Sequence, residues 1–409
     1  MQTQTYATQI VRKLTEAGYI AYFAGGWVRD QVMKNSSSDI DIATNALPQE
    51  IIRLFPKTIP VGVAFGVVIV VIDRHQFEVS TFRKDCEYVD GRRPAHVEPS
   101  NPQEDAKRRD FTINGMFFDP LTNTILDYVG GQEDIKNTII RTIGEPRERF
   151  KEDRLRMIRA VRFAARFGFT IEKATEDAIR EKANQLLPAV SMERIWQEIK
   201  KMAENAHFDA AIMEMEHLGL LSVIFPKLSS VSPAEIKRRV ACFQRYPEKC
   251  PPILFVSELF QDAALETLLG LCEYLKVSNQ DKNFVEYVFR GRELIKQKGD
   301  DRAWAHYLSD PRSQISIRVI ASGYPDEKEV DILETYFKLG QRLKPHIERI
   351  IHKTLLVDAE MLKGEGIKPG KLMGDLLREA ETIAINKNLE NPQKIMTILK
   401  KSPLWKLKA

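Results

Sequence analysis

Two aspartates, Asp39 and Asp41, stand one residue apart in Asp39-Ile40-Asp41-Ile42-Ala43, and twelve residues separate them from Gly25-Gly26. Alternation of polar and apolar residues predicts a half-buried strand over 39–43. Both carboxylates would then share one face, about 7 Å apart. Side-by-side carboxylates repel unless they share a cation. Such a pair suits Mg2+, which takes one or two carboxylates and leaves positions for substrate phosphates. Gly-Gly at a strand-to-helix turn lets backbone N–H groups approach a phosphate, and the helix start adds a favourable dipole. Arg29, one turn into that helix, suits a phosphate, and Asp30 suits a hydroxyl donor. Taken singly, Gly-Gly is an ordinary turn and Asp-x-Asp a solvated strand face. The spacing, with strands on both sides, favours a phosphate and cation site.

The elements that must hold these residues follow from periodicity. Ala7, Ile10, Val11 and Leu14 have helical spacing over 5–17, and a short apolar strand covers Tyr19 to Ala24. A second helix is expected from Trp27 to Met33, then a loop over 34–38. Residues 67–72 and 76–82 read as a hairpin around Asp73-Arg74-His75. Residues 111–119 and 124–129 supply one or two further strands. The first 145 residues are therefore mixed α/β with a small sheet. Past Pro146 the character changes: Asp153 to Phe167 reads as one helix, and helical periodicity continues to the end without a convincing strand.

Composition excludes some classes and leaves others open. Across 409 residues, 43% hydrophobic and 29% charged is globular usage, which argues against disorder, collagen and coiled coil. The strongest apolar run, Val67 to Ile72, is far short of the roughly 20 residues a membrane helix needs. No signal-peptide pattern opens the chain, and Cys86, Cys242, Cys250 and Cys272 form no CxxC pair. The expectation is a cytoplasmic protein with reduced thiols and no membrane partner. Lys+Arg 61 against Asp+Glu 57 gives a net charge of only +4, which rules out a bulk polycation but not a local nucleic-acid footprint.

The Gly-Gly and Asp-x-Asp arrangement resembles the DNA polymerase β-like nucleotidyltransferases. Three further segments narrow it: Phe23-Ala24-Gly25-Gly26-Trp27-Val28-Arg29-Asp30, Arg108-Arg109-Asp110-Phe111-Thr112-Ile113-Asn114, and Glu152-Asp153-Arg154-Leu155-Arg156-Met157-Ile158-Arg159-Ala160-Val161-Arg162-Phe163. With these, the chain resembles the bacterial-type (class II) CCA-adding tRNA nucleotidyltransferases and poly(A) polymerases. The resemblance is dense over 20–200 and thins beyond. It implies an α+β nucleotidyltransferase head over 1–145, a helical neck that recognises the base over 146–225, a helical body over 226–340 and an RNA-binding helical tail over 341–409.

It also implies residue roles. Asp39 and Asp41 would hold two Mg2+ ions, with Glu78 as third carboxylate from a later strand. Gly25, Gly26, Arg29, Asp30, Arg109, Asp110 and Asn114 would meet triphosphate and ribose, with Asp110 on the 2′-OH. Asp153 and Arg156, together with Arg159 and Arg162, would recognise the nucleotide. Asp153 and Arg156 are spaced i, i+3, so on one helix they share a face. Asp can accept from the exocyclic amine of cytosine or adenine while Arg donates to the ring acceptors. Uracil and guanine present the reverse pattern and leave a buried group unpaired, at roughly 1–3 kcal/mol per group. Residues 83–107, with Arg83, Lys84, Arg92 and Arg93, read as a mobile loop, which in this family takes part in the switch from C to A addition. Ser191 is the expected N-cap of a neck helix, and the aromatic and Met positions from Trp196 to Met215 are expected core.

The last 69 residues hold 14 Lys/Arg against 8 Asp/Glu, with Lys394, Lys400 and Lys401 near the end. That excess suits tRNA phosphates. The substrates implied are CTP, ATP and tRNA, and the assembly a monomer or homodimer. Two other readings stay open: a poly(A) polymerase, A-only or CC-only enzyme with the same core, and a non-catalytic RNA-binding helical protein with a degenerate head.

Overall fold

The computed structural model describes residues 2–60, 63–88 and 94–406. The chain divides into two compact units, Met1–Lys237 and Arg238–Ala409.

The first unit is built on eleven strands: β1 (Ala21–Ala24), β2 (Asp41–Thr44), β3 (Thr58–Ile59), β4 (Val67–Ile72), β5 (His75–Thr81), β6 (Arg83–Tyr88), β7 (Pro94–Pro99), β8 (Met116–Asp119), β9 (Thr124–Asp127), β10 (Ile139–Ile140) and β11 (Thr170–Ile171). Seven of them form one mixed sheet in the order β3-β4-β5-β2-β1-β8-β9. Its registers bring the chemistry together. Antiparallel β1 and β2 pair Ala24 with Asp41, so the Gly25-Gly26 turn leaves the sheet beside the start of β2. Parallel β2 and β5 pair Ile42 with Val79, so Asp41 and Glu78, one residue earlier on each strand, point to the same face. Ile42 and Val79 point to the other and are fully buried.

The helix Gln2–Glu16 packs its buried Ala7, Ile10, Val11 and Leu14 stripe onto this sheet, as its spacing predicts. The hairpin turn of β4 and β5 has Asp73 and Arg74 at φ 42° and 70°, the two positive-φ positions of a turn that follows strand twist. Phe82 and Phe117, both fully buried, meet edge to face at 5.7 Å and close the core near β1.

Four expectations need correction. Asp39 is not in a strand: β2 begins at Asp41, and Asp39 is exposed in the segment leading to it. Residues 83–107 are not one loop. β6 and β7 form their own antiparallel pair, and the helix Pro102–Arg108 follows. Arg92 and Arg93 lie outside the described residues. The stretch 111–115 is a short 3-10 turn over Thr112–Asn114, so β8 starts only at Met116. Past residue 146 one short strand does occur, β11, paired in parallel with β10.

The helix expected over 153–167 is present but starts two residues later, and a separate short helix precedes it. Pro146–Glu152 ends at Asp153, whose backbone is extended (φ −146°, ψ 105°), and Leu155–Phe167 follows. The second helix stops at Gly168 in the left-handed region (φ 66°), a C-terminal conformation that glycine adopts without Cβ strain. It packs against Met192–Ala203 and Phe208–His217. Trp196, Ile199, Met202 and Met215 are buried there. Ser191 precedes the helix as expected, but its side chain makes no capping bond.

The second unit is helical throughout its described residues. A 27-residue helix, Asp326–His352, runs through the division proposed at residue 340. A separate apolar cluster built on Leu362, Leu376, Ile395 and Leu399 holds the last helices together. Cys242, Cys250 and Cys272 are free and buried, and burial pushes their thiols up to about 12, 12 and 11. No helix of the described residues is long and apolar enough to cross a membrane.

Candidate active site

The sheet registers and the kink at Asp153 shape a cavity of about 470 Å3 in the first unit. Of the residues singled out in the sequence, Gly25, Gly26, Arg29, Asp41, Arg109, Asp110, Asn114, Asp153, Arg156 and Arg159 line it; Arg83, Arg108 and Phe163 complete the wall. Asp39 and Glu78 flank Asp41 rather than line the cavity. Asp30 and Arg162 stand behind it. Lys394, Lys400 and Lys401 belong to the other unit.

At the floor, Gly25 has φ 68° and ψ −128°, a region only glycine occupies readily. A Cβ there would come within 3.1 Å of Arg109 Nη1. Asp41 keeps an open edge to the cavity, yet the protein around it desolvates the carboxylate. That burial, with the charges of Asp39 and Glu78, outweighs Arg109 and raises its carboxyl to about 6. This is a cluster of negative charge that Arg109 offsets only in part. Among the described residues no three His, Cys, Asp or Glu side chains converge closely enough to hold a metal alone. Asp39 and Asp41 fit a divalent cation whose remaining ligands come from a substrate.

The arginine wall has the opposite character. Asp105, 1% exposed, receives Arg108 at 2.8 Å and Arg109 at 3.1 Å. Arg149 donates to the carbonyls of Arg108 and Arg109 at 2.6 and 2.7 Å, which fixes the backbone of both. Arg29 spends Nε and Nη2 on Asp30 (2.9 and 2.8 Å) and Nη1 on the Asn114 carbonyl oxygen (2.7 Å), and its guanidinium lies 4.6 Å from the Phe167 ring. Asp30 is therefore first a partner of Arg29, which takes its Oδ1.

Asp110 accepts from the Phe111 N–H, from Asn114 Nδ2 and from Arg159 Nε at 2.8, 3.2 and 2.8 Å, with Arg159 Nη2 as a fourth donor. Burial pushes this carboxyl up, but Arg159 and the hydrogen bonds outweigh it and hold it at about 2. Its acceptor positions are full. A ribose hydroxyl reaches Asp110 only by displacing Asn114 or Arg159.

The Asp153 and Arg156 pair also differs from expectation. The break between helices takes them off a common face. Asp153 accepts from the Leu155 N–H at 3.1 Å and from Arg194 at 3.0 Å. Arg156 donates to Glu152 at 2.7 Å and to the Arg149 carbonyl at 2.9 Å. Both still line the cavity, each held by a separate partner. Arg162 is bound to buried Glu198 at 2.6 Å.

The sequence reading missed Asp105, Glu152, Arg194 and Glu198. A signal existed only for the first: Asn101-Pro102 is a helix start, with the Asn101 side chain accepting from the Glu104 N–H and proline in the first turn.

Comparison with known proteins gives a consistent result. Residues 21–141 match the poly A polymerase head domain, and residues 168–231 match the probable RNA and SrmB-binding site of polymerase A. The CCA-adding enzyme of Enterococcus faecalis is 33% identical over 394 residues, covering 95% of this chain and 94% of that protein. The CCA-adding enzyme of Bacillus subtilis is 48% identical over 200 residues, and there the match spans about half of each chain, 49% of this one and 50% of the relative. The crystal structure of the Bacillus stearothermophilus CCA-adding enzyme in complex with CTP superposes with a TM-score of 0.77 at 28% identity, covering 97% of this chain and 98% of that one.

Proposed function

The chain belongs to the family of bacterial CCA-adding enzymes, which are nucleotidyltransferases, and on that premise we propose that it adds C, C and A to tRNA 3′ ends from CTP and ATP, without a nucleic-acid template and with release of pyrophosphate. The observation that carries this reading is the single cavity in which the Gly25-Gly26 turn, Asp41, the arginine wall and the Asp153 and Arg156 side chains meet.

Asp39 and Asp41 would hold two Mg2+ ions, with Glu78 beside Asp41. Bound Mg2+ supplies a lowered pKa at the RNA 3′-OH and charge neutralisation on the departing pyrophosphate. Arg29, Arg83, Arg108 and Arg109 present fixed positive charge to the triphosphate. Their guanidinium groups are already oriented by Asp30, Asp105, Asn114 and backbone carbonyls, so little reorganisation accompanies binding. Asp153 accepts from the exocyclic amine of cytosine or adenine, Arg156 donates to the ring acceptor, and Asp110 sets Arg159 against the nucleotide. Lys394 and Lys401 in the other unit are exposed and have no ion-pair partner among the described residues, whereas Lys400 pairs with Glu365 at 2.7 Å. The first two are available for tRNA phosphates. A tRNA substrate supports the cytoplasmic location expected from the sequence.

The test is incubation with Mg2+, labelled CTP or ATP, and tRNAs lacking their last three, two or one nucleotides. Growth to CCA and no further supports the proposal. A homopolymer of A identifies a poly(A) polymerase, and arrest after CC or addition of A alone identifies a partial enzyme. No incorporation at all leaves a non-catalytic RNA-binding protein.

A further inference from the structure

The neck helix Met192–Ala203 touches the base-reading side of the cavity through two side chains of opposite charge, one turn apart. Arg194 points to Asp153, reaching Oδ2 at 3.0 Å and Oδ1 at 3.3 Å. Glu198, 4% exposed, takes Arg162 at 2.6 Å and stands 3.8 Å from Arg159. A helix that presents plus at 194 and minus at 198 meets minus at 153 and plus at 159 and 162. Only one rotational setting of the helix satisfies both contacts, since i, i+4 residues share a face.

The Arg194 contact is the more consequential. Asp153 sits at a break between helices, on extended backbone that turns its side chain out of the helical register. Locally it has only the Leu155 N–H as donor. Arg156, the residue expected to pair with it, is committed to Glu152 and the Arg149 carbonyl. Among the described residues Arg194 in turn has Asp153 as its one anionic partner, and its Nη1 is buried without an acceptor. Arg159 also lies within electrostatic reach of Asp153, but the ion pair that holds the carboxylate directly is the one with Arg194.

We propose that Arg194 is a specificity-positioning residue: it holds the Asp153 carboxylate aimed as an acceptor into the nucleotide cavity, so that bases offering an exocyclic amine are taken and those offering a carbonyl are refused. Arg194 does not line the cavity and does not touch the nucleotide; it acts through Asp153. The inference rests on the proposed reading of Asp153 as the base acceptor.

The experiment compares kcat/KM for CTP and UTP on tRNA lacking its last three nucleotides, in wild type and in R194M. The expected result is a fall of about tenfold or more in the CTP-over-UTP ratio, a change that corresponds to roughly 1.4 kcal/mol of discrimination. R194Q keeps one donor for Asp153 and should lose less, about threefold. Should R194M fail to fold by circular dichroism, R194Q carries the test on the same ratio. E198Q is the control. It loosens Arg159 and Arg162 and should raise KM for both nucleotides, with the ratio within about twofold of wild type. A folded R194M, or R194Q in its place, with the wild-type ratio overturns the inference, as does a drop in rate for CTP and UTP alike. Failure of wild type itself to incorporate CMP overturns the underlying reading instead.

Discussion

Two sets of acids border one cavity and are treated in opposite ways. Asp105, Asp110 and Asp153 are each matched to arginines, and Asp110 is held at about 2 by the guanidinium and amide around it despite its burial. Asp41 sits among Asp39 and Glu78, and burial with those like charges raises it to about 6. The difference separates scaffold from chemistry. The paired acids have their charge matched within the protein: Asp105 and Asp110 hold arginines in place, whereas Asp153 is itself held by Arg194. The unpaired cluster lacks a full match within the protein, which supports the proposal that a metal ion binds there.

The largest expected effect comes from breaking the unpaired set. Asp39→Ala should reduce CMP incorporation by at least about a thousandfold, some 4 kcal/mol of barrier, with tRNA binding and the circular dichroism spectrum retained. Retained activity in that purified variant removes the metal assignment. Breaking the paired set should act on folding instead. Asp110→Asn leaves Arg159 without its main anion and should cost about 3 kcal/mol in urea unfolding at pH 7. Because the folded Asp110 carboxyl lies below its ordinary value, its contribution is fully present above about pH 4 and disappears as pH falls toward about 2. Wild type and D110N should therefore converge in stability over that window.

Asp41 has the reverse sign. Its folded carboxyl is raised, so its contribution is favourable at low pH and is lost as pH rises from about 4 to about 6. Asp41→Asn should raise the melting temperature by a few degrees at pH 7 and leave it unchanged at pH 4. Added Mg2+ should raise the wild-type value and not that of D41N, and a matching rise in D41N would place the cation elsewhere. The smallest effect lies in the second unit. Lys394→Ala and Lys401→Ala should each lower the slope of log affinity for tRNA against log salt by about 1. An unchanged slope removes them from the RNA-binding surface.

How far the sequence carried depends on whether the determinants were local. The helix Gln2–Glu16 and the β4–β5 hairpin were legible because their apolar periods and turn residues lie within a few positions of each other. The Gly25-Gly26 turn and Asp41 were legible for the same reason, since one antiparallel register joins them. The kink at Asp153 was not. No glycine or proline marks it; it is held by long-range partners, Arg194 for Asp153 and the Arg108 and Arg109 carbonyls for Arg149. The same holds for Asp39, where the strand begins two residues later than alternation predicts. Glu198 and Arg194 carried no motif visible in a single sequence. They reach the cavity's surroundings only when the helix Met192–Ala203 packs against Asp153 and Arg162 of the same unit.

The contrast between the two acid sets is tested most directly by counting protons released when Mg2+ binds near pH 6. A carboxyl raised to about 6 is half protonated there, and a cation must expel that proton to bind. Calorimetric titration of Mg2+ in buffers of different ionisation enthalpy should show release of about half a proton per wild-type chain and none from D41N. Equal release from both, or none from wild type, contradicts the assignment of the cation to Asp41.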